Sequence, residues 1–201
     1  VYTPGSTFKI VTALAAMRSD KIDLDSFTYK CVGEAKFTDK VIHCYNNKAH
    51  GEVDLKYAMA YSCNCYFAEL AKIIGAEQLK NTAESLGINN EITMELGSSK
   101  SSFLMTKDCT ESELVETAIG QGKTGATPLY MATLISAIAN DGVMMQPYIV
   151  DRYIKYTGKE YGQNIPEKIS TIMTEEEAKK LQGLLVDAVT LGTGSAAAIN
   201  G

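Results

Sequence analysis

The chain has 201 residues, 45% of them hydrophobic and 21% charged, with a formal net charge of -5. That length suits one domain with a real hydrophobic core and is short for two. The acidic balance, with no Lys/Arg stripe, argues against nucleic acid as a partner, and no stretch reaches the ~18 consecutive apolar residues that a membrane-spanning helix needs.

The longest apolar candidate, 129–139, is interrupted by Thr133 and Ser136. No signal peptide is visible. The chain opens at Val1 without Met, directly in a motif, and so reads as an internal, soluble piece of a longer protein. After an extended entry with the breaker pair Pro4-Gly5, helical periodicity starts at Thr7 (Phe8, Val11, Ala15 and Ile10, Leu14, Met17). Residues 20–51 are polar, with short β-like pieces such as Val41-Ile42, and read as a long irregular excursion of the kind that carries function or a staple.

Four short helices are expected next. They span Asp54 to Tyr61 with Asp54 as cap, Cys65 to Ile74, Glu77 to Leu86, and Ser112 to Ile119, with a loop from Gly97 to Thr110. Thr127-Pro128 opens the strongest helix, to about Ala139, because Thr caps well and Pro suits the first helical turn. Tyr148 to Lys155 alternates as a strand, Thr157-Gly158 turns, and a second strand runs to Ile165. Thr174 caps a last helix to Leu191, whose acidic start Glu175-Glu176-Glu177 reads as a solvated first turn. Residues 192–201 form a Gly/Ala/Ser tail.

The chemistry sits at the start, in Pro4-Gly5-Ser6-Thr7-Phe8-Lys9. A Ser at a helix start with a Lys three residues on places both side chains on one face. Free backbone N–H groups and the helix dipole there favour an oxyanion. Ser needs an adjacent base to become a nucleophile. Lys9, desolvated beside a wall such as Phe8, would be that base. On the tetrad alone, a capping serine and a surface lysine are the commoner explanation.

The flanking residues change the balance. Tyr2-x-Pro4-Gly5-Ser6-Thr7-Phe8-Lys9 resembles the active-site serine motif of penicillin-binding proteins. The resemblance continues in order through Ser62-Cys63-Asn64 (the family's Ser-x-Asn), Gly120-Gln121-Gly122 with Thr127-Pro128-Leu129, and Gly192-Thr193-Gly194. It implies a class B D,D-transpeptidase with an acyl-serine mechanism on peptidoglycan stem peptides, trapped covalently by β-lactams. Carried over, Ser6 is the nucleophile, Lys9 the base, Ser62 the proton relay, and Asn64 the holder of the substrate amide. A class D β-lactamase would carry Ser-x-Val in place of Ser62-Cys63-Asn64. A β-lactam sensor and a catalytically incomplete structural piece remain as alternatives.

The resemblance also implies an α+β parent fold of the penicillin-binding protein/β-lactamase-like type. Residues 1–201 would be one partial transpeptidase domain, mainly α-helical with a small β component. Lys123-Thr124-Gly125 imitates the family's third motif but lies between a turn and a helix cap, so the chain is expected to stop just before the real one. The parent would be anchored at the outer face of the bacterial cytoplasmic membrane and work with a glycosyltransferase partner. No organic cofactor is implied.

The remaining signal is Cys31-x12-Cys44-x5-His50-x12-Cys63, among five cysteines in all. Three thiols and an imidazole would form a closed tetrahedral zinc site that staples the 20–51 excursion and fixes Ser62-Cys63-Asn64. Certain class B members resemble this, with a structural zinc beside the active site at matching positions. A Cys31–Cys44 disulfide and inert buried thiols are the alternatives. Cys65 reads as packing on its helix, Cys109 as a loop thiol without a partner, and His43 as a weaker ligand candidate than His50.

Overall fold

The computed structural model describes residues 1–199, so the Asn200-Gly201 end of the tail lies outside the described residues. The centre is helix α1, Lys9–Met17, in which Ile10, Val11, Ala13, Leu14, Ala15 and Ala16 are all buried. A helix that is apolar all round can only be stable when neighbours cover every side. Here α3 (Asn64–Ile74), α4 (Ala76–Ser85), α5 (Glu111–Ala118) and α7 (Glu175–Thr190) pack on it. The buried Thr12 hydroxyl on α1 donates to the carbonyl of Ala118 at 2.7 Å, which ties α1 to the end of α5.

The helix starts follow their capping residues. Asp54 caps α2 (Leu55–Ala60) by accepting from the Tyr57 N–H, and Thr127 caps α6 (Pro128–Ala139) by accepting from that of Tyr130. Thr174 and Glu177 form a reciprocal capping box at α7. The acidic triplet divides. Glu175 and Glu176 face solvent beside Lys179 and Lys180, but Glu177 turns inward to the Arg18 guanidinium at 2.7 and 3.0 Å, clamping α7 to the end of α1.

The β structure corrects the expectation in three places. The 20–51 excursion is not irregular. It holds β1 (Tyr29–Cys31), β2 (Glu34–Lys36) and β3 (Val41–His43) and leads into β4 (Gly51–Val53). β1 pairs with β4 and β2 with β3, both antiparallel, with Ala35 and Ile42 facing inward. Second, the strand expected over Tyr148 to Lys155 is only β6 (Arg152–Ile154), paired with β7 (Glu160–Gln163). Residues Ile149 and Val150 instead donate their N–H groups to the Glu95 carboxylate. Third, β5 (Val143–Met145) pairs with β8 (Lys168–Thr171), a ladder with no sequence signal. Lys123-Thr124-Gly125 forms no strand. Gly125 makes an isolated bridge to Ser102, and the Lys123 side chain turns to Glu113 at 3.7 Å.

The 192–194 segment seats against the end of α2. A Cβ on Gly192 would lie 1.8 Å from the carbonyl oxygen of Ala60, and the Thr193 N–H donates to that same oxygen at 3.0 Å. Only glycine allows this approach, two residues before Ser62. Among the described residues, no helix is long and apolar enough to cross a membrane.

Candidate active site

Ser6 does not lie in the α-helix itself. It lies in a 3-10 turn, Gly5–Phe8, that feeds directly into α1. In a 3-10 turn side chains three apart eclipse, so Ser6 and Lys9 face each other more directly than in an α-helix. Lys9 Nζ is 3.2 Å from Ser6 Oγ. Behind Ser6, the Gly5 N–H donates to the carbonyl of Gly120 at 2.9 Å. A Cβ on Gly120 would fall 2.0 Å from the Gly5 carbonyl oxygen, so the Gly-Gln-Gly turn braces the backbone of the serine by contact.

Lys9 is 1% exposed, the first residue of the most buried helix. Its ammonium meets the Ser62 carbonyl at 2.7 Å, Ser62 Oγ at 2.8 Å, Asn64 Oδ1 at 2.6 Å and Ser6 Oγ. An ammonium has three hydrogens for these four acceptors. Burial lowers the Lys9 pKa to about 8, against the opposing pull of the thiols of Cys63, Cys44 and Cys65. The apolar wall is Phe67, with Nζ 5.6 Å from its ring centre, and not Phe8, which stacks on Phe103. A neutral Lys9 keeps two hydrogens and turns a lone pair toward the Ser6 hydroxyl.

Ser62 reaches this centre through a strained backbone. α2 ends with the Cys63 N–H bonded to the Ala58 carbonyl at 2.8 Å and the Ser62 N–H to that of Met59 at 3.1 Å. That is the Schellman pattern, whose left-handed residue is usually glycine. Here it is Ser62, with φ +55°, a conformation that disfavours a side chain by about 1–2 kcal/mol. The strain aims the hydroxyl at Ser6, and Ser62 Oγ donates to Ser6 Oγ at 2.8 Å. Ser62→Gly is therefore expected to be more stable than Ser62→Ala by about 1 kcal/mol in denaturant unfolding, although both lose the hydroxyl. Equal stabilities would mean that the helix end does not hold this residue left-handed.

Asn64 is engaged at both ends of its amide. Oδ1 accepts from Lys9, and Nδ2 donates to the His43 carbonyl at 2.8 Å. It thus links Lys9 to the β2–β3 hairpin. The His43 ring points outward, 3.8 Å from Glu34. Ser6, Lys9 and Ser62 open into a cleft of about 640 Å³ walled by Met131, Ile135 and Leu185 from α6 and α7, with Thr193 at its edge.

The four residues with ligand spacing also converge. One ligand atom from each of Cys31, Cys44, His50 and Cys63 lies within 4.8 Å of all the others. Cys31–Cys44 and Cys44–Cys63 sulfur separations are both 3.7 Å, and Cys31 Sγ to His50 Nδ1 is 3.6 Å. Zinc–sulfur bonds of about 2.3 Å at tetrahedral angles give edges of about 3.8 Å, so the donor set fits a tetrahedral ion. The Cys31 and Cys44 sulfurs are too far apart to be bonded to each other, and both are free thiols. His50 is held by stacking on Tyr61 at 5.9 Å. Cys65 packs in the core on α3 as expected, and its sulfur in addition lies 3.5 Å from that of Cys44.

Residues 1–201 match the family described as the penicillin-binding protein transpeptidase domain, and the chain belongs to that family. It is 29% identical over its whole length to stage V sporulation protein D of Bacillus subtilis, covering 31% of that protein. It is 28% identical to the peptidoglycan D,D-transpeptidase PbpA of Mycolicibacterium smegmatis, covering 93% of this chain and 38% of the relative. The D,D-transpeptidase domain of a peptidoglycan glycosyltransferase from Eggerthella lenta superposes with a TM-score of 0.88 at 33% identity, over all of this chain and 51% of that one. An imipenem acyl-enzyme of penicillin-binding protein A from M. tuberculosis gives 0.86 at 25% identity, over all of this chain and 46% of that one. The fold class is therefore that of the penicillin-binding transpeptidases, here mainly helical. The chain spans about a third of the length of these curated relatives.

Proposed function

We propose that this chain carries the nucleophile and base of a class B peptidoglycan D,D-transpeptidase. The observation that supports it is the closed set of contacts among Ser6, Lys9, Ser62 and Asn64 around a lysine held near pKa 8. Ser6 Oγ attacks the carbonyl of the penultimate D-Ala of a stem peptide while neutral Lys9 takes the Ser6 proton. The peptide C–N bond breaks, Ser62 relays the proton now on Lys9 to the departing D-Ala amine, and an ester on Ser6 remains with Lys9 neutral again. An amine of a neighbouring stem then attacks the ester, forms the cross-link and returns the proton to Ser6. A β-lactam enters the first half and stays on Ser6. Asn64 positions Lys9 in the free site and holds the substrate amide when substrate arrives.

The whole protein works on the outer face of the bacterial cytoplasmic membrane, anchored there and paired with a glycosyltransferase. Cys31, Cys44, His50 and Cys63 hold a structural zinc, which supplies no chemistry to the reaction and fixes the hairpin that Asn64 grips.

The test is intact mass after exposure to a penicillin. The wild type is expected to gain one drug mass, and Ser6→Ala none while keeping its circular dichroism. An adduct on both would place the nucleophile elsewhere. An adduct that forms but never turns over with a D-Ala-D-Ala peptide and an amine acceptor favours a β-lactam sensor. No adduct on either protein favours a structural piece that needs further chain to react.

A further inference from the structure

We propose that Cys65 is a positioning residue for the metal site, whose thiol hydrogen bonds to the Cys44 sulfur when Cys44 is a ligand. This rests on the reading of Cys31, Cys44, His50 and Cys63 as a zinc site.

Cys44 is the hub of the sulfur cluster, with Cys31 and Cys63 at 3.7 Å and Cys65 at 3.5 Å. Cys65 is the nearest of the three, yet it stands outside the set whose ligand atoms are all mutually within 4.8 Å. A tetrahedral ion is already complete without it. Cys65 is fully buried on the first turn of α3, and its second neighbour is the Ile42 carbonyl at 3.7 Å. As neutral thiols the two can bond in sequence, Cys44 to Cys65 and Cys65 to the Ile42 carbonyl, since the separations are 3.5 and 3.7 Å. A metal-bound thiolate has no hydrogen to donate. The 3.5 Å contact can then persist as a hydrogen bond only if Cys65 becomes the donor.

That reversal has a physical return. A buried thiolate needs donors to replace the water it has lost, and a hydrogen bond to a charged acceptor is stronger than one between neutral groups. The Ile42 carbonyl, a neutral acceptor at 3.7 Å, is the weaker competitor. Partners of this kind orient ligands, and their loss typically lowers metal affinity by about 10–100-fold. Cys65 also sits one residue after Asn64, so the same contact ties the Cys44 ligand to the helix turn that holds Lys9.

The experiment is zinc competition against a chromophoric chelator for wild type, Cys65→Ala and Cys65→Ser, each checked for a cooperative melt. Cobalt(II) spectra of the same three proteins count the thiolate ligands. Cys65→Ala is expected to bind zinc about 10–100-fold more weakly, with Cys65→Ser restored toward wild type because its hydroxyl still donates. The thiolate-to-cobalt bands should keep their intensity in both variants. Wild-type affinity in Cys65→Ala, or equal weakening in Ala and Ser, overturns the proposal and leaves the zinc site standing. A loss of thiolate-to-cobalt intensity makes Cys65 a ligand and also overturns it. A wild type that holds neither zinc nor cobalt overturns the metal reading itself.

Discussion

Lys9→Met is expected to slow acylation of Ser6 by about a thousandfold, within the range that a positioned general base contributes. Methionine nearly matches the lysine stem in length and keeps the apolar contact with Phe67, so the loss reports the amine. The pH profile separates this from a packing defect. Acylation requires the neutral amine, and the Lys9 pKa is lowered by burial to about 8. The wild-type rate should rise about tenfold per pH unit below that value and level off above it, whereas the Met variant should show no such rise. Stopped-flow acylation by a chromogenic cephalosporin measures both. A wild-type profile that is flat from pH 6 to 9 would rule out Lys9 as the base.

The same shift makes a stability prediction of definite sign. The folded pKa lies below the ordinary value of 10.5. Between about pH 8 and 10.5 the unfolded chain therefore binds the proton that the folded chain has lost, and stability rises with pH. Over that interval wild type should gain roughly 3 kcal/mol relative to Lys9→Met, since one pKa unit is worth about 1.4 kcal/mol. Denaturant titrations of both proteins at the two pH limits measure the difference.

What the residues revealed in advance depended on how local the cause was. Thr127-Pro128 and Thr174 set their helix starts locally, and the structure has those helices where the caps lie, whereas Glu177, read as part of a solvated turn, closes the capping box and reaches Arg18. Ser62 was legible as a motif but not as geometry. Capping grammar puts glycine at the left-handed end of a helix, and only the pull of Ser6 and Lys9 explains a serine there. The strands of the 20–51 segment escaped for a different reason. Each is three residues long, too short for alternation to register, and Tyr29 finds its partner at Val53. Phe67 replaced Phe8 beside Lys9 because the side chain that covers a buried residue comes from the helix packed across it, which no spacing along α1 encodes. Cys65 reads from sequence as an ordinary core thiol, and the approach of Cys44 from the loop after β3, which gives it a sulfur neighbour, is not encoded in its own helix.

Stripping metal from a zinc-loaded preparation is expected to lower the melting temperature by about 10 °C. Saturating zinc at a thousand times its dissociation constant contributes about 4 kcal/mol, and a chain of this size moves roughly 2–4 °C per kcal/mol. The loss should concentrate in one region. β1 to β4 are three residues each, and paired ribbons that short are marginal unless held from outside. The four residues that would hold the ion come from the end of β1, the turn after β3, the approach to β4 and the cap of α3, so a bound ion would join all four elements at one point. Hydrogen exchange should therefore quicken across residues 29–53 while α1 stays protected. Because the Asn64 amide donates to the His43 carbonyl, acylation should slow as that hairpin loosens. Cys44→Ser, which removes the hub of the cluster, should reproduce all three effects without a chelator. A fully demetallated protein with an unchanged melt would mean that these thiols pack the hairpin unaided, and that their convergence within 4.8 Å serves the core and not an ion.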